Sequence, residues 1–307
     1  MSRLTERVPS AVLLIVACAL WGAATVMNKA LLVAIPPVSL LVIQLIPSAA
    51  VLWVAVLLSG LRLPEATLLV PLVMLGLLNP GISYTLSLMG LARISASVST
   101  LLWAAEPLMV LAIANVVLRE RMTWPLLSVI VVGALGVALV ANVFEGFGSP
   151  DNDLGGILLL LSAVLCCAFY TVFARKLADS ADPLSTVAIQ QAAGAGWAVI
   201  LLFSDTRYGS VADLGATPIS MIRTAILSGL LYYAAAYWLY ITALRSVPAA
   251  VAASYFNVIP VFGVGLAFLF LGETLTLIQW AGAGAILLSV IGLVQLTRDN
   301  PPAASVR

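Results

Sequence analysis

The sequence predicts an all-α polytopic membrane protein whose ten transmembrane helices form two inverted five-helix repeats. Three observations lead to this fold class. Hydrophobic residues make up 63% of the 307 residues and charged residues only 9%, whereas about a quarter of the residues in a soluble domain are charged. Ten apolar segments are each long enough to cross a bilayer. The second half of the chain also repeats part of the first.

The composition excludes several classes of function. The net charge of +1 leaves no concentrated basic face, so we expect no nucleic-acid partner. The absence of histidine excludes histidine-ligated zinc and histidine-dependent nucleophilic catalysis. The three cysteines lie inside apolar runs, where they resemble small buried hydrophobic residues. We therefore expect that the protein is not an enzyme and uses no metal ion or other cofactor.

Ten segments between charged residues, prolines and turn clusters have the length of a membrane span, about 20 mainly apolar residues. The first follows Arg3 and Arg7, which resemble the basic start of a secretory signal. Its apolar run continues past Trp21 and is longer than a signal core, so a span is favoured over a cleaved signal. The ten predicted spans are Ser10 to Val33, Pro37 to Leu58, Ala66 to Leu91, Ser95 to Leu118, Thr123 to Asn142, Leu154 to Ala178, Pro183 to Phe203, Pro218 to Leu244, Val247 to Leu271 and Leu275 to Leu296.

The distribution of basic residues predicts the orientation of these spans. With the N-terminus in the cytoplasm, cytoplasmic segments hold ten of the fourteen Lys and Arg residues and external segments hold four. Because the number of spans is even, both termini are expected in the cytoplasm. We expect a monomer surrounded by the lipid bilayer.

An internal repeat relates the two halves of the chain. A shift of 153 residues aligns Gly76 to Thr123 with Gly229 to Thr276 without a gap, and 13 of the 48 aligned residues are identical. A weaker match at a shift of 146 residues aligns Thr25-Val26 with Thr171-Val172. Chance would give about four or five identities in so apolar a chain, so a real repeat is the better interpretation.

The repeat has a consequence for topology. The two halves, residues 1–146 and 147–307, hold five predicted spans each. Because five is an odd number, the second half must enter the membrane with the opposite orientation. Inverted repeats are typical of secondary transporters, which bind substrate near the membrane midplane between the halves and open to each side in turn.

Part of this repeat resembles a known family. The stretch Tyr237 to Thr276 is similar to the second-repeat signature of the EamA family in the drug/metabolite transporter superfamily, with a tyrosine, Ala-Leu-Arg, small residues, a mid-helix proline and Leu-Gly-Glu-x-Leu-Thr. Tyr84 to Thr123 is a degenerate copy, and Trp21-Gly22 with Lys29 resembles the family's opening helix. The resemblance implies a ten-helix transporter of metabolites or amino acids in the bacterial cell inner membrane, often an exporter.

An Asn-Pro-Gly sequence interrupts the third predicted span near its centre, at Asn79, Pro80 and Gly81. Nothing similar interrupts the matching residues, Tyr232 to Ala234. A half-helix that begins at Pro80 would present free N–H groups to a substrate carboxylate. The alternative is a proline kink in which Asn79 bonds to a neighbouring helix.

Pro107 and Pro260 occupy matching places in the middle of two predicted spans. A proline inside a helix removes one backbone hydrogen bond and leaves a carbonyl to be satisfied elsewhere. The two prolines are therefore either hinges that line the transport path or simple kinks.

Glu106 is the only ionisable side chain near the middle of a predicted span. Insertion of a charge at that depth costs about 2.5–3.5 kcal/mol, so a functional role is the default interpretation. Glu106 either attracts a substrate ammonium group or binds and releases a proton coupled to transport. The alternative is a protonated side chain that only bonds across helices. Asn257, two positions from the matching place in the second half, is a candidate for the opposing wall.

Aromatic residues deep in the predicted spans are candidates for lining a substrate cavity, because a buried tyrosine hydroxyl needs a partner. Four tryptophans nearer the span ends, Trp53, Trp124, Trp197 and Trp280, are expected at the membrane interface. The candidates for the cavity are Trp21, Tyr84, Trp103, Tyr170, Tyr233, Tyr237, Trp238 and Tyr255.

An aromatic cavity suits an amino acid with a large or aromatic side chain, or a similar amphiphilic small molecule. Together with the resemblance, it predicts a secondary transporter that exports such amino acids by alternating access. The alternative is a carrier of drugs or of other metabolites, such as nucleotide sugars and phosphorylated compounds. Phosphate groups would require basic residues at the midplane, and the sequence places none there.

Overall fold

The computed structural model describes residues 9–61, 63–118, 124–140, 153–177, 180–204, 207–244 and 255–299. Within these residues all long elements are helices and no β-strand occurs. Glu120 and half of the fourteen basic residues behind the predicted orientation lie outside the described residues, so that orientation stays a prediction. These basic residues are Arg3, Arg7, Arg62, Arg119, Arg121, Arg245 and Arg307.

Six of the described helices are long and apolar enough to cross a membrane. They are Ser10–Leu31, Pro37–Leu58, Ala66–Leu91, Leu154–Ala174, Pro183–Ser204 and Ile219–Ala243. Four shorter apolar helices are Ala96–Val110, Leu127–Val140, Ile259–Leu271 and Leu277–Gly292. Each of these ten helices lies inside a predicted span or extends at most one residue beyond it. The all-helical fold class is therefore confirmed, whereas membrane crossing by all ten segments stays a prediction.

Several of these helices are divided by irregular backbone. The resulting α-helices are α1 (Ser10–Leu31), α2 (Pro37–Leu58), α3 (Ala66–Gly76), α4 (Ser83–Leu91), α5 (Ala96–Trp103), α6 (Glu106–Leu118), α7 (Trp124–Val140), α8 (Leu154–Leu177), α9 (Pro183–Ser204), α10 (Val211–Ala216), α11 (Ile219–Gly229), α12 (Tyr237–Leu244), α13 (Ile259–Leu271) and α14 (Leu277–Asp299). The segment Leu77–Ile82, which is kinked at Asn79, joins α3 to α4, and the π-helical segment Leu230–Ala236 joins α11 to α12. A 3₁₀ turn, Tyr255–Val258, precedes α13.

The local sequence explains where several helices begin and end. α2 and α9 begin with a proline, whose fixed φ angle suits the first helical position. Ser95 caps α5 by accepting a hydrogen bond from the Val98 N–H at 3.2 Å. Gly272 ends α13 in the left-handed conformation with φ of 67°, which glycine adopts without steric cost.

The kinked segment Leu77–Ile82 and the π-helical segment Leu230–Ala236 occupy equivalent places, 153 residues apart. The interruption predicted at Asn79 is confirmed, because its backbone leaves the helical region with φ of −149° and ψ of 114°. The expectation that nothing similar interrupts Tyr232 to Ala234 is wrong, since the helix widens there to a π-helix. A π-helical turn adds a residue without proline or glycine, so those three residues carry no sequence signal for it.

The predicted spans that contain Pro107 and Pro260 are also divided. α5 ends at Trp103 and α6 begins at Glu106, so Pro107 is the second residue of a new helix. Pro260 likewise is the second residue of α13. Each proline therefore lies in a first helical turn, where the missing N–H removes no helical hydrogen bond.

Helices of the two halves pack in pairs that the repeat relates to each other. α2 packs along α9, and α7 packs along α14. α1 lies against α12 and α13, and α8 lies in the same manner against α4 and α6. The centre of the bundle is therefore formed between the two halves.

Two helix crossings show this relation at the level of single residues. A Cβ atom on Gly76 would lie 2.6 Å from the Gln190 Cα atom, and one on Gly229 would lie 2.6 Å from the Gln44 Cα atom. Only glycine allows so close an approach of two helix backbones. Gly76 and Gly229 are 153 residues apart, and Gln44 and Gln190 are 146 residues apart, which are the two predicted shifts.

The outer surface of the bundle is apolar. Leu57, Phe270 and Leu288 are examples, each more than two-thirds exposed. A surface of this kind is suited to contact with lipid rather than water. Fold and composition together describe a multi-pass membrane protein.

Candidate substrate cavity

A cavity of about 30 Å³ lies between the two halves. From the first half, α1, α4 and the break between α5 and α6 border it. From the second half, α8, the π-helical segment Leu230–Ala236, α12, the 3₁₀ turn and the start of α13 border it. The lining side chains are Trp21, Thr25, Tyr84, Trp103, Glu106, Cys167, Tyr170, Thr171, Tyr232, Tyr237, Tyr240, Phe256 and Ile259.

Ten of these thirteen residues form pairs that the predicted shifts relate. At a shift of 146 residues the pairs are Trp21 with Cys167 and Thr25 with Thr171. At a shift of 153 residues they are Tyr84 with Tyr237, Trp103 with Phe256, and Glu106 with Ile259. The two halves therefore supply equivalent positions to one cavity, and the pair of Glu106 with Ile259 differs most in chemistry.

Glu106 is the acidic group of this cavity. It is the first residue of α6 and is 4% exposed. The Thr171 hydroxyl on α8 donates a hydrogen bond of 2.9 Å to the Glu106 Oε1 atom. Among the described residues that line the cavity there is no lysine or arginine. The carboxyl group is therefore the group in this cavity that can attract a cation.

Aromatic rings form most of the remaining wall. The Trp21 ring packs edge-on against Tyr237, Tyr240 and Phe256, with ring centroids 5.3–5.6 Å apart. Tyr84 stacks on Trp103 at a centroid distance of 5.9 Å. The Tyr84 and Tyr237 hydroxyl groups, which the repeat relates, are hydrogen-bonded at 2.7 Å. Such faces and edges suit an aromatic or an organic cationic ligand.

Two polar atoms on this wall have no hydrogen-bond partner within the part of the chain that the structure describes. They are the Trp21 Nε1 atom and the Tyr240 hydroxyl oxygen. Trp21 is 6% exposed and Tyr240 is 3% exposed. A buried polar group without a partner costs about 1–3 kcal/mol. The Tyr233 hydroxyl is also buried and without such a partner, but Tyr233 does not line the cavity.

The structure brings six of the predicted site residues together at the cavity and places others behind its wall. The six are Trp21, Tyr84, Trp103, Glu106, Tyr170 and Tyr237. Behind the wall, the Asn79 amide donates to the Tyr237 hydroxyl at 2.9 Å, and Tyr233 packs against Tyr84 at a centroid distance of 5.1 Å. Trp238 and Tyr255 pack against the same core, and the Asn257 side chain lies outside the described residues.

The proposed hinge residues divide into two groups. Pro107 and Pro260 directly follow the lining residues Glu106 and Ile259. Pro80 and Gly81 instead face α9, where Pro80 packs on Gly194 and Gly81 lies beside Trp197. The Trp197 indole N–H donates to the Thr85 hydroxyl at 3.2 Å, so this tryptophan, which we expected at the membrane interface, stabilises the interrupted span.

Sequence reasoning missed seven residues that line the cavity. The two shifts contained the signal for three of them, because they relate Trp21 to Cys167, Trp103 to Phe256, and Glu106 to Ile259. In the second half we predicted Tyr255, which is one position before Phe256. We also predicted Asn257, which is two positions before Ile259. The seven missed residues are Thr25, Cys167, Thr171, Tyr232, Tyr240, Phe256 and Ile259.

Two charged side chains, Lys29 and Glu273, bind the connection between α4 and α5. The Glu273 carboxylate accepts hydrogen bonds from the Ala96 N–H at 2.9 Å, the Ser97 N–H at 2.8 Å and the Ser97 hydroxyl at 2.7 Å. Lys29 donates to the Leu91 carbonyl at 3.1 Å. These contacts satisfy a helix N-terminus and a helix C-terminus with charges of the favourable sign. We call them the α4–α5 clasp.

Comparisons with known proteins relate the chain to membrane transporters. The model of the EamA-like transporter family matches residues 8–142 and 154–295. YvbV, an uncharacterized transporter of Bacillus subtilis (strain 168), is 28% identical over 301 residues, which cover 97% of this chain and 95% of that protein. The S-adenosylmethionine/S-adenosylhomocysteine transporter of Chlamydia trachomatis serovar L2 is 28% identical over 180 residues, 55% of this chain and 53% of that protein. One crystal structure of a protein shares the fold, with a TM-score of 0.63 and 17% identity over 95% of this chain and 98% of the other.

Proposed function

The chain belongs to the EamA-like transporter family, and on this basis we propose that it exports amino acids with large or aromatic side chains across the bacterial inner membrane by alternating access. Family and relatives make it a membrane transporter of the drug/metabolite superfamily. The observation that carries the narrower proposal is the cavity, which combines one carboxyl group with an aromatic wall.

In this proposal the chain crosses the membrane ten times, and residues 1–146 and 147–307 form two inverted repeats. The equivalent packing of α1 and α8 supports the repeat, as do the paired residues of the cavity. Both termini then face the cytoplasm, as the distribution of basic residues predicts. The described residues of one chain line the cavity, which supports the proposal that the protein acts as a monomer.

Alternating access follows from the size of the cavity. A volume of about 30 Å³ holds about two water molecules and is far too small for an amino acid. The substrate therefore enters only when helices of the two halves separate. The helix starts at Glu106 and Ile259, directly before Pro107 and Pro260, are the proposed hinges, because they lie at matching places at the cavity.

The cavity suits the two ends of such an amino acid differently. The rings of Trp103 and Phe256 receive the apolar side chain, and Glu106 either attracts the ammonium group or binds and releases a proton coupled to transport. The sequence-based location for the carboxylate is the Asn79-Pro80-Gly81 interruption. That interruption lies one layer behind Tyr237, so the substrate would reach it only after Tyr237 moves.

A second candidate substrate is an organic cation with a planar ring, such as S-adenosylmethionine. The absence of lysine and arginine among the described lining residues favours a cation beside Glu106. One relative carries S-adenosylmethionine in its name. The same absence disfavours nucleotide sugars and phosphorylated metabolites, whose charge requires basic partners.

Counterflow in vesicles reconstituted with the purified full-length chain separates these candidates. Vesicles are loaded in turn with phenylalanine, S-adenosylmethionine or a nucleotide sugar, and the uptake of the same labelled compound is followed with and without a proton gradient. We expect saturable counterflow of phenylalanine. Counterflow of S-adenosylmethionine alone would replace the first candidate by the second, and counterflow of the nucleotide sugar alone would contradict both.

A further inference from the structure

Apart from Glu106, the cavity wall includes two polar side chains, Trp21 and Tyr240, on a different pair of helices. Trp21 lies on α1 and Tyr240 on α12, two helices that pack against each other, whereas Glu106 and Thr171 lie on α6 and α8. The Trp21 and Tyr240 rings are 5.6 Å apart between centroids. Both side chains line the cavity, and both bring a buried polar atom that has no partner among the described residues.

The chemistry of these two atoms identifies the ligand group that fits them. An indole N–H can only donate a hydrogen bond, and a phenol O–H donates readily. The ligand group must therefore offer at least two acceptor positions close together. A carboxylate provides two oxygens with about four acceptor positions and gains more than a neutral acceptor from two donors in an apolar environment.

We propose that the Trp21 N–H and the Tyr240 O–H together bind the carboxylate of the transported amino acid. This inference rests on the proposed function and assigns the carboxylate to the cavity wall rather than to the interruption at Asn79. In this arrangement the ammonium group lies toward Glu106, and the amino acid bridges the α1–α12 side and the α6–α8 side of the cavity. Both residues are thus specificity-determining for a carboxylate.

Two ligands that differ only in the carboxylate test this assignment. We would measure dissociation constants of phenylalanine and of phenethylamine by titration calorimetry on the full-length chain in detergent. Tyr240→Phe and Trp21→Phe remove the donors and keep a ring. We expect each to weaken phenylalanine binding about tenfold or more, the range for a hydrogen bond to a charged group. Phenethylamine binding should change less than about twofold.

Tyr233→Phe is the matched control. It removes a hydroxyl that is equally buried and equally without a partner among the described residues, but one that lies outside the cavity lining. We expect the dissociation constants of both ligands to stay at the wild-type values in this variant. Because Tyr240→Phe and Trp21→Phe are independent, the assignment can be tested even where one of them fails to fold.

Failure of this inference is distinct from failure of the proposed function. Suppose that the wild-type chain binds phenylalanine. If both variants then weaken the binding of phenylalanine and phenethylamine equally, or weaken the binding of neither, the carboxylate assignment is overturned and the proposed function stands. If the wild-type chain binds neither ligand and shows no phenylalanine counterflow, both are overturned.

Discussion

At the scale of single residues, Glu106 is the position at which the two halves differ most. Its partner by the repeat is Ile259, and both line the cavity. Two equivalent positions with such different chemistry give the cavity a charged side and an apolar side. Under the proposed function, we expect a substrate with one polar end to bind in one orientation.

Glu106→Gln removes the charge and keeps an oxygen that can accept the Thr171 hydrogen bond. If Glu106 exchanges a proton with the substrate or the solvent, we expect transport by this variant to vary much less with pH than wild-type transport between about pH 5 and pH 8. Vesicle uptake at a series of pH values measures this. Glu65→Gln, an exposed glutamate outside the cavity, is the control and should keep the wild-type profile. An unchanged profile in Glu106→Gln would contradict a role in proton exchange.

Thr171 and Thr25 offer a comparison of two equivalent residues. The Thr171 hydroxyl bonds to Glu106, whereas the Thr25 hydroxyl bonds to the Trp21 carbonyl at 2.9 Å within its own helix. Thr171→Val leaves a buried carboxyl group without this donor, so we expect the free energy of unfolding to fall by about 1–3 kcal/mol. Thermal unfolding of the purified protein measures the change. Thr25→Val is the control with a smaller expected loss, and equal losses in the two variants would argue against the Thr171–Glu106 contact.

The sequence was sufficient to find much of this site but not all of it. Glu106 and Trp103 were predictable because a charge and a large ring, each deep in an apolar run, both favour a position facing the interior of the bundle. Tyr240 was not predictable. Several tyrosines lie in the same predicted span, and only packing shows which of them reach the cavity. Asn79 was assigned to the cavity, yet its amide bonds to Tyr237 from behind.

At the scale of helices and connections, proline and glycine made the divided spans predictable. Pro107 and Pro260 mark new helices, and Asn79 to Gly81 mark the interruption between α3 and α4. The π-helical segment Leu230–Ala236 had no such marker. Its position follows from the fold, since it directly follows Gly229, the residue whose contact with Gln44 sets the crossing of α11 and α2.

The α4–α5 clasp holds the connection between two helices that each contribute a residue to the cavity wall, Tyr84 and Trp103. Glu273→Ala removes the acceptors for the Ala96 and Ser97 N–H groups, a loss of about 1 kcal/mol for a helix cap. We expect α4 and α5 to separate from the rest of the bundle more often, so that Cys167 reacts faster with a thiol reagent in a chain whose Cys18 and Cys166 are replaced by alanine. Glu65→Ala, which makes no such contact, should leave the labelling rate unchanged. An unchanged rate in Glu273→Ala would contradict this expectation.

At the scale of the whole molecule, the repeat connects sequence to mechanism. Two shifts, 146 and 153 residues, relate both the helix crossings and the residues that line the cavity. If the halves are inverted in the membrane, each state open to one side has a counterpart of similar energy that is open to the other side. Orientation itself was predictable only from Lys and Arg counts, because an all-helical bundle without bound lipid carries no marker of the two faces.

Accessibility of Cys167 from the two faces of the membrane tests the central claim most directly, namely that one cavity between two inverted halves opens to each face in turn. Cys167 lines the cavity and is 6% exposed. The full-length chain with Cys18→Ala and Cys166→Ala is reconstituted in sealed vesicles of each orientation and treated with a membrane-impermeant maleimide. We expect labelling from both faces and slower labelling in the presence of transported amino acid. Labelling from one face only, whatever substrate is present, would contradict the central claim.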